Sequence, residues 1–324
     1  MIRKKPKPLL PGNTVMVRPL YEILSTLDQA GTLDRLPFMP EMAKYCGSSY
    51  TVYKRIERTC EEATGDMRRI QNVVFLDNLR CDGSEHGGCQ KGCRIFWKEA
   101  WLIRPEYNMI SPDEHAQGNK TVVSLPCKLP NGLYICQSTE LVNATTPLSL
   151  MNLMLFVRDI RSRTYSILRL IRVLFHAFFL RLRYYLTGKS FRFLRGRQIH
   201  TPVESLGLQS GEWVRVKTKK EIEETLDRKG MNRGLGFTVD MIPDCGKTYR
   251  VLRRLEKMID EPTRELIDLK DTVILENSVC HGCYILKGGC PRENFNFWRE
   301  IWLQRAEQNL QAENRRRAHP DPLA

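Results

Sequence analysis

Apolar and polar residues alternate in the same way at two places along the chain. Thr14-Val15-Met16-Val17-Arg18 opens one stretch and Trp213-Val214-Arg215-Val216-Lys217 the other. Each is a period-two pattern that predicts a half-buried strand. A short polar helix is expected next, over residues 22–28 and 221–227, closed by Gly31 and Gly230. A Cys-Gly turn (Cys46-Gly47, Cys245-Gly246) then leads into a further alternating strand, residues 249–255 in the second stretch. A polar hairpin region and another strand follow, over 73–76 and 272–275. The segments Phe96-Trp97-Lys98-Glu99-Ala100-Trp101-Leu102 and Phe297-Trp298-Arg299-Glu300-Ile301-Trp302-Leu303 fit a strand or a helix equally. Either way, their aromatic rings are expected to close a small core.

The two stretches are copies of one module. Adding 199 carries Gly12, Val15, Thr26, Phe38, Cys46, Val52, Arg55, Leu76 and Cys81 onto Gly211, Val214, Thr225, Phe237, Cys245, Val251, Arg254, Leu275 and Cys280. After a two-residue insertion the offset becomes 201, and Cys89, Phe96, Trp97, Glu99 and Trp101 meet Cys290, Phe297, Trp298, Glu300 and Trp302. Several short strands with one short helix in each copy predict a mainly β protein: two tandem, homologous, SH3-like barrels joined by a basic amphipathic helix. The expected organisation is a basic arm (1–11), repeat 1 (12–104), an extension (105–149), the connector helix (150–187), a linker (188–210), repeat 2 (211–305) and a polar tail (306–324). Residues 133–136 of the extension read as a strand.

Charge changes this picture at one place. The net charge is +14, yet residues 12–104 carry 13 basic and 12 acidic side chains, and residues 211–305 carry 18 and 16. Between Arg158 and His200 there are eleven Lys or Arg against one acid, Asp159. At about 100° per residue, Arg158, Arg169, Arg172, His176 and Arg183 share one narrow stripe of the connector, and the rest of its circumference is mostly Leu, Ile, Val, Phe and Tyr. Its longest stretch without a charge, residues 173–180, is far short of the ~20 residues needed to span a bilayer. A basic amphipathic helix with a broad aromatic face instead suits an anionic membrane surface. Nucleic acid is the rival anionic partner; the near-neutral repeats and the apolar breadth of the helix count against it.

The N-terminus is basic but lacks the apolar core of a secretory signal. An odd number of cysteines, eleven, suits a reducing compartment. A cytoplasmic protein peripheral to the inner face of the membrane is expected.

Cysteine spacing supplies the candidate chemistry. Cys81-x4-His86-x2-Cys89-x3-Cys93 and Cys280-His281-x-Cys283-x6-Cys290 are glycine-rich knuckles, and Cys46 and Cys245 recur beside them. Thiolate and imidazole are the usual donors of a closed tetrahedral zinc site, so zinc is expected around Cys81, His86 and Cys89 with Cys46 or Cys93. In the second copy the corresponding candidates are Cys245, Cys280, Cys283 and Cys290. An iron–sulfur cluster is the alternative, because Cys60 and Cys136 add thiols to the first half. Buried cysteines acting as small hydrophobes are the plainer reading. No phosphate-binding loop, zinc-protease motif or nucleophile elbow is present.

Leu36-Pro37-Phe38-Met39-Pro40-Glu41-Met42, Leu79-Arg80-Cys81-Asp82-Gly83, Phe96-Trp97-Lys98-Glu99-Ala100-Trp101-Leu102 and Cys136-Gln137-Ser138-Thr139-Glu140-Leu141 together resemble a bacterial family of uncharacterised proteins associated with polysaccharide and glycoconjugate gene clusters. The resemblance implies a glycan-assembly setting and brings no catalytic residue or cofactor with it. The resulting expectation is a membrane-surface accessory or scaffold protein with two metal-stabilised modules that bind a partner protein. A metal- or thiol-dependent enzyme is the alternative, and a nucleic-acid-binding protein the third.

Overall fold

The computed structural model describes residues 7–62, 64–104, 125–148, 192–282 and 290–306, with eight helical positions between 168 and 186. Outside the described residues lie the start of the basic arm, residues 105–124, most of the connector with Arg158, Arg169, Arg172, His176 and Arg183, Cys283, and residues 307–324. The described residues are mainly β, arranged in several sheets. Two compact units divide the chain: Met1–Leu182 with Lys257–Ile267 and His281–Asn294, and Arg183–Glu256 with Asp268–Cys280 and Phe295–Ala324. Two segments of the second repeat, residues 257–267 and 281–294, therefore belong to the first unit.

The first unit contains β1 (Thr14–Val17), the short hairpin β2 (Thr32–Leu33) and β3 (Leu36–Pro37), β4 (Ser49–Cys60), β5 (Met67–Leu76), β6 (Trp97–Lys98), β7 (Leu102–Ile103) and β8 (Thr146–Pro147). Its main sheet runs β6-β5-β4-β1-β7, with β8 added to β5. The second unit contains β9 (Trp213–Val216), β10 (Met231–Asn232), β11 (Leu235–Gly236) and β12 (Thr248–Arg254). After the hairpin of β13 (Lys257–Ile259) and β14 (Leu266–Asp268) come β15 (Thr272–Val279), β16 (Phe295–Arg299) and β17 (Leu303–Arg305). Its sheet runs β16-β15-β12-β9-β17. The two orders match strand for strand. Both long strands shift register at the same point, between Val52 and Lys54 and between Val251 and Arg253. A bulge of this kind bends the strand and lets the sheet curl over its core.

The sequence explains why both copies build this shape. Val15, Val17 and Val52 in the first unit, and Val214, Val216 and Val251 in the second, point inward and are fully buried. The ambiguous aromatic segment is neither one strand nor one helix: strand, a single 3-10 turn (Glu99–Trp101, Glu300–Trp302), then strand. That turn delivers both tryptophans of each copy to the core, where Phe38 meets Trp101 edge-on at 5.3 Å and Phe237 meets Trp302 at 5.2 Å.

Each helix is shorter and earlier than its pattern suggested: α1 is Leu20–Leu24 and α2 is Lys219–Glu223. The threonine that follows ends it. Thr26 Oγ1 donates to the Ile23 carbonyl (2.6 Å), and Thr225 Oγ1 to that of Ile222 (2.8 Å). The same oxygens accept the indole N–H of Trp101 (3.1 Å) and Trp302 (3.0 Å), which is why Thr and Trp recur together in both copies. Residues 133–136 differ from expectation. Tyr134 makes only an isolated bridge with Lys128, and the N–H groups of Tyr134 and Ile135 go to two different segments, at Arg264 and Cys127.

Candidate functional site

The knuckle after β5 is held by its own backbone. Cys81 N–H donates to the Cys93 carbonyl (2.8 Å), tying its two ends together. His86 and Gly88 both donate to Gly83 (3.0 Å each), and Cys89 donates to His86 (3.2 Å). Gly83 sits at φ +67°, and a side chain there would run into the Cys89 carbonyl, so this position admits only glycine.

Around this knuckle, within the first unit, is a pocket of about 450 Å³, open mouth included. Four thiols line it: Cys81, Cys89 and Cys93 from the knuckle, and Cys136 from the segment beyond the repeat. Met39, Gln137 and Ile259 supply the neighbouring wall, and Lys91 and Arg94 bring positive charge to it. Ser138 Oγ lies 3.5 Å from Cys93 Sγ. The Ile259 amide donates to Cys89 Sγ at 3.3 Å. Backbone amides of Lys91, Gly83 and of Ser138 and Thr139 face Cys89, Cys81 and Cys136 respectively. Among the described residues no three His, Cys, Asp or Glu side chains close tightly around one point.

Electrostatics decide what these groups can do. Burial is the largest influence on Cys81, Cys89 and Cys136 and raises all three thiol pKa values, that of Cys136 to about 12. Bare, they are neutral at physiological pH, which is the opposite of an activated nucleophile. A bound cationic metal reverses this, because it takes the thiolate and releases the proton.

His86 lines the same pocket but is engaged elsewhere. Its Nδ1 lies 2.5 Å from Glu41 Oε1 and its Nε2 lies 2.7 Å from the Ile135 carbonyl. Both partners are acceptors, so both ring nitrogens donate and neither keeps a lone pair for a metal. Burial pulls the imidazole pKa down, and the hydrogen bond and charge of Glu41 outweigh it, so the net shift is upward. Beside the pocket, buried Arg292 pairs with Glu261 and donates to Ser138 Oγ (2.8 Å), and buried Lys91 pairs with Glu62 (2.6 Å) and Glu261 (3.1 Å).

The other candidate ligands are placed as follows. Cys46 packs in the hydrophobic core, with its thiol pushed up to about 12 by burial, and is not among the pocket residues. Cys245 occupies the equivalent turn and packs against the core of the second unit. Cys280 ends β15's run, and Cys290 lies in the first unit with its Sγ 2.7 Å from Cys60 Sγ. Cys136 is the pocket thiol that local spacing did not join to the knuckle. The repeat gave no signal for it, since it lies outside the duplicated positions.

The second notable feature is helical. Leu168, Ile171, Phe175, Phe178, Phe179, Leu182, Tyr185 and Leu186 are all helical and all exposed, Leu168 by 80% and Phe175 by 64%. At about 100° per residue all eight fall within one arc of about 120°, that of one helix face. No helix among the described residues is long and apolar enough to cross a membrane. No protein family, characterised protein or solved structure matches the chain.

Proposed function

We propose that this chain is a membrane-surface accessory protein that docks on anionic lipid through the helix between its two repeats. One observation carries the reading: eight large apolar side chains of that helix, from Leu168 to Leu186, lie exposed on one face. Exposed apolar patches of this kind mark interaction surfaces. On a helical projection of the sequence they occupy an arc of about 120°, adjoining the stripe of Arg158, Arg169, Arg172, His176 and Arg183. That is the arrangement of an interfacial helix, with arginines at the headgroups and aromatics at the acyl boundary. Each large apolar side chain fully buried contributes about 1.5–3 kcal/mol, and each basic residue near an anionic surface about 1 kcal/mol. The arginines select anionic over zwitterionic lipid, and the apolar face supplies the insertion that persists when salt screens the charge.

In this reading the two sheets are small SH3-like barrels that hold a partner protein at the inner face of the membrane. Their shared strand order supports a common module, and the glycan-assembly setting implied by the sequence makes an enzyme of that process the natural partner.

Co-sedimentation with vesicles tests this. The protein should pellet with vesicles rich in anionic lipid and stay in solution with zwitterionic ones. Phe175→Glu with Phe179→Glu, both exposed, should remove binding without unfolding either sheet. Arg169→Glu, Arg172→Glu and Arg183→Glu should weaken it and abolish its salt sensitivity. A wild-type chain that stays in the supernatant with anionic vesicles at low salt defeats the proposal.

A further inference from the structure

We propose that Cys81, Cys89, Cys93 and Cys136 hold an iron–sulfur cluster of the four-cysteine, four-iron type. The chemistry of the donor set comes first. Four thiols line one pocket, and no carboxylate is among its lining residues. His86 donates through both ring nitrogens, and neither Cys46 nor Glu41 is among the residues that line the pocket. What remains is an all-sulfur set, which selects zinc or iron–sulfur over harder metals.

The space between the thiols separates those two. Four sulfurs on one zinc at ~2.3 Å stand only about 3.8 Å apart and leave no cavity between them. Here four thiols line one pocket, yet among the described residues no three His, Cys, Asp or Glu side chains close around one point. A polynuclear core, with a cysteine at each of four corners, suits thiols that share a pocket without meeting at a point.

The surroundings of the sulfurs agree. Amides at Gly83, Lys91, Ile259, Ser138 and Thr139 are directed at Cys81, Cys89 and Cys136. Hydrogen bonds of this kind stabilise thiolate sulfur and tune cluster potential. Four thiolates around a core of charge +2 carry a net negative charge. Lys91 and Arg94 line the pocket and Arg292 interacts electrostatically with Cys93, each cation also pairing with a carboxylate among Glu62, Glu261 and Glu293. Loading with ferric iron and sulfide releases one proton from each cysteine and forms one iron–sulfur bond in its place, while the added thiol supplies two electrons, becoming a disulfide and taking two of the four irons to ferrous, which gives the core its charge of +2.

The full chain, purified anaerobically and treated with ferric iron, sulfide and a thiol reductant, should take up about four irons and four acid-labile sulfides and turn brown. Cys136→Ala and Cys93→Ala should lose the chromophore; Cys127→Ala and His86→Gln should keep it. Circular dichroism separates loss of the cluster from loss of the fold. Alkylation of the loaded wild-type chain is a second readout that needs no variant: Cys81, Cys89, Cys93 and Cys136 should be protected and become reactive once iron is chelated, while Cys127 is unaffected. One tightly held zinc without sulfide, a chromophore that survives Cys136→Ala, or a folded chain that takes up neither iron nor sulfide would each overturn the proposal.

Discussion

The imidazole Nδ1 of His86 lies 2.5 Å from Oε1 of Glu41, and both side chains are shut away from solvent. A buried ion pair of this kind is held by the protonated ring, and its effect on stability has a definite direction. The folded-state pKa of His86 is raised above the unfolded value of about 6.5. Its contribution is therefore complete below that unfolded value and is lost as pH rises through the folded one. Denaturation of the first unit, followed between slightly acid and alkaline pH, should show stability falling on the alkaline side. His86→Gln should remove that slope. An unchanged slope in the variant would assign the pH dependence to another group.

Arg254 and Glu300 form an internal ion pair of the second unit, at 2.9 Å. Glu300 is fully buried and also accepts the amides of Leu206 (2.5 Å), Gly207 (2.8 Å) and Leu208 (3.1 Å). Removing it leaves three amide donors unpaired, that of Leu208 buried, and takes one partner from Arg254, which is 27% exposed and keeps Glu256 at 3.6 Å; a buried donor left unsatisfied costs about 1–3 kcal/mol. The first copy repeats the pair as Arg55 and Glu99, but the Glu99 side chain is 21% exposed. Glu300→Ala should therefore destabilise its unit more than Glu99→Ala destabilises the other. Urea titration of both variants measures this, and equal losses would contradict it.

Much of this was legible in the chain. The duplicated positions located the long strands, the Cys-Gly turns and the tryptophan pairs, because each is a local pattern repeated twice. The pocket was legible only in part. Cys81, Cys89 and Cys93 are close in sequence, but Cys136 reaches them across the extension and has no second copy. Recurrence also has more than one cause: Cys46 and Cys245 recur in turns that pack against a core. The partner of His86 lies 45 positions away at Glu41, with no local spacing to announce it. The apolar breadth of the connector was plain from the sequence; which arc faces solvent was not, since periodicity has no outside.

Cys60 and Cys290, 230 positions apart, bring their sulfurs to 2.7 Å within the first unit. Burial raises the Cys290 thiol pKa, but the Cys60 contact and the Arg292 charge more than offset it, so the net shift is downward. Cys290 should therefore attack a disulfide first. With oxidised glutathione it forms the mixed disulfide and releases one reduced glutathione. Cys60 then displaces the second glutathione and closes the Cys60–Cys290 bond. A non-reducing peptide map should contain this cross-link ahead of any other. Its absence, when other cysteines have been glutathionylated, would mean that the two sulfurs do not stay in contact in solution.

The membrane account rests on one exposed helical face, and hydrogen–deuterium exchange reads that face directly. Peptides covering residues 165–186 should exchange more slowly with anionic vesicles than without them, while peptides of β1 to β7 and β9 to β17 stay unchanged. Phe175→Glu with Phe179→Glu should abolish the protection. Exchange of 165–186 that is the same with and without anionic vesicles, or protection that appears instead on the sheets, would contradict the account.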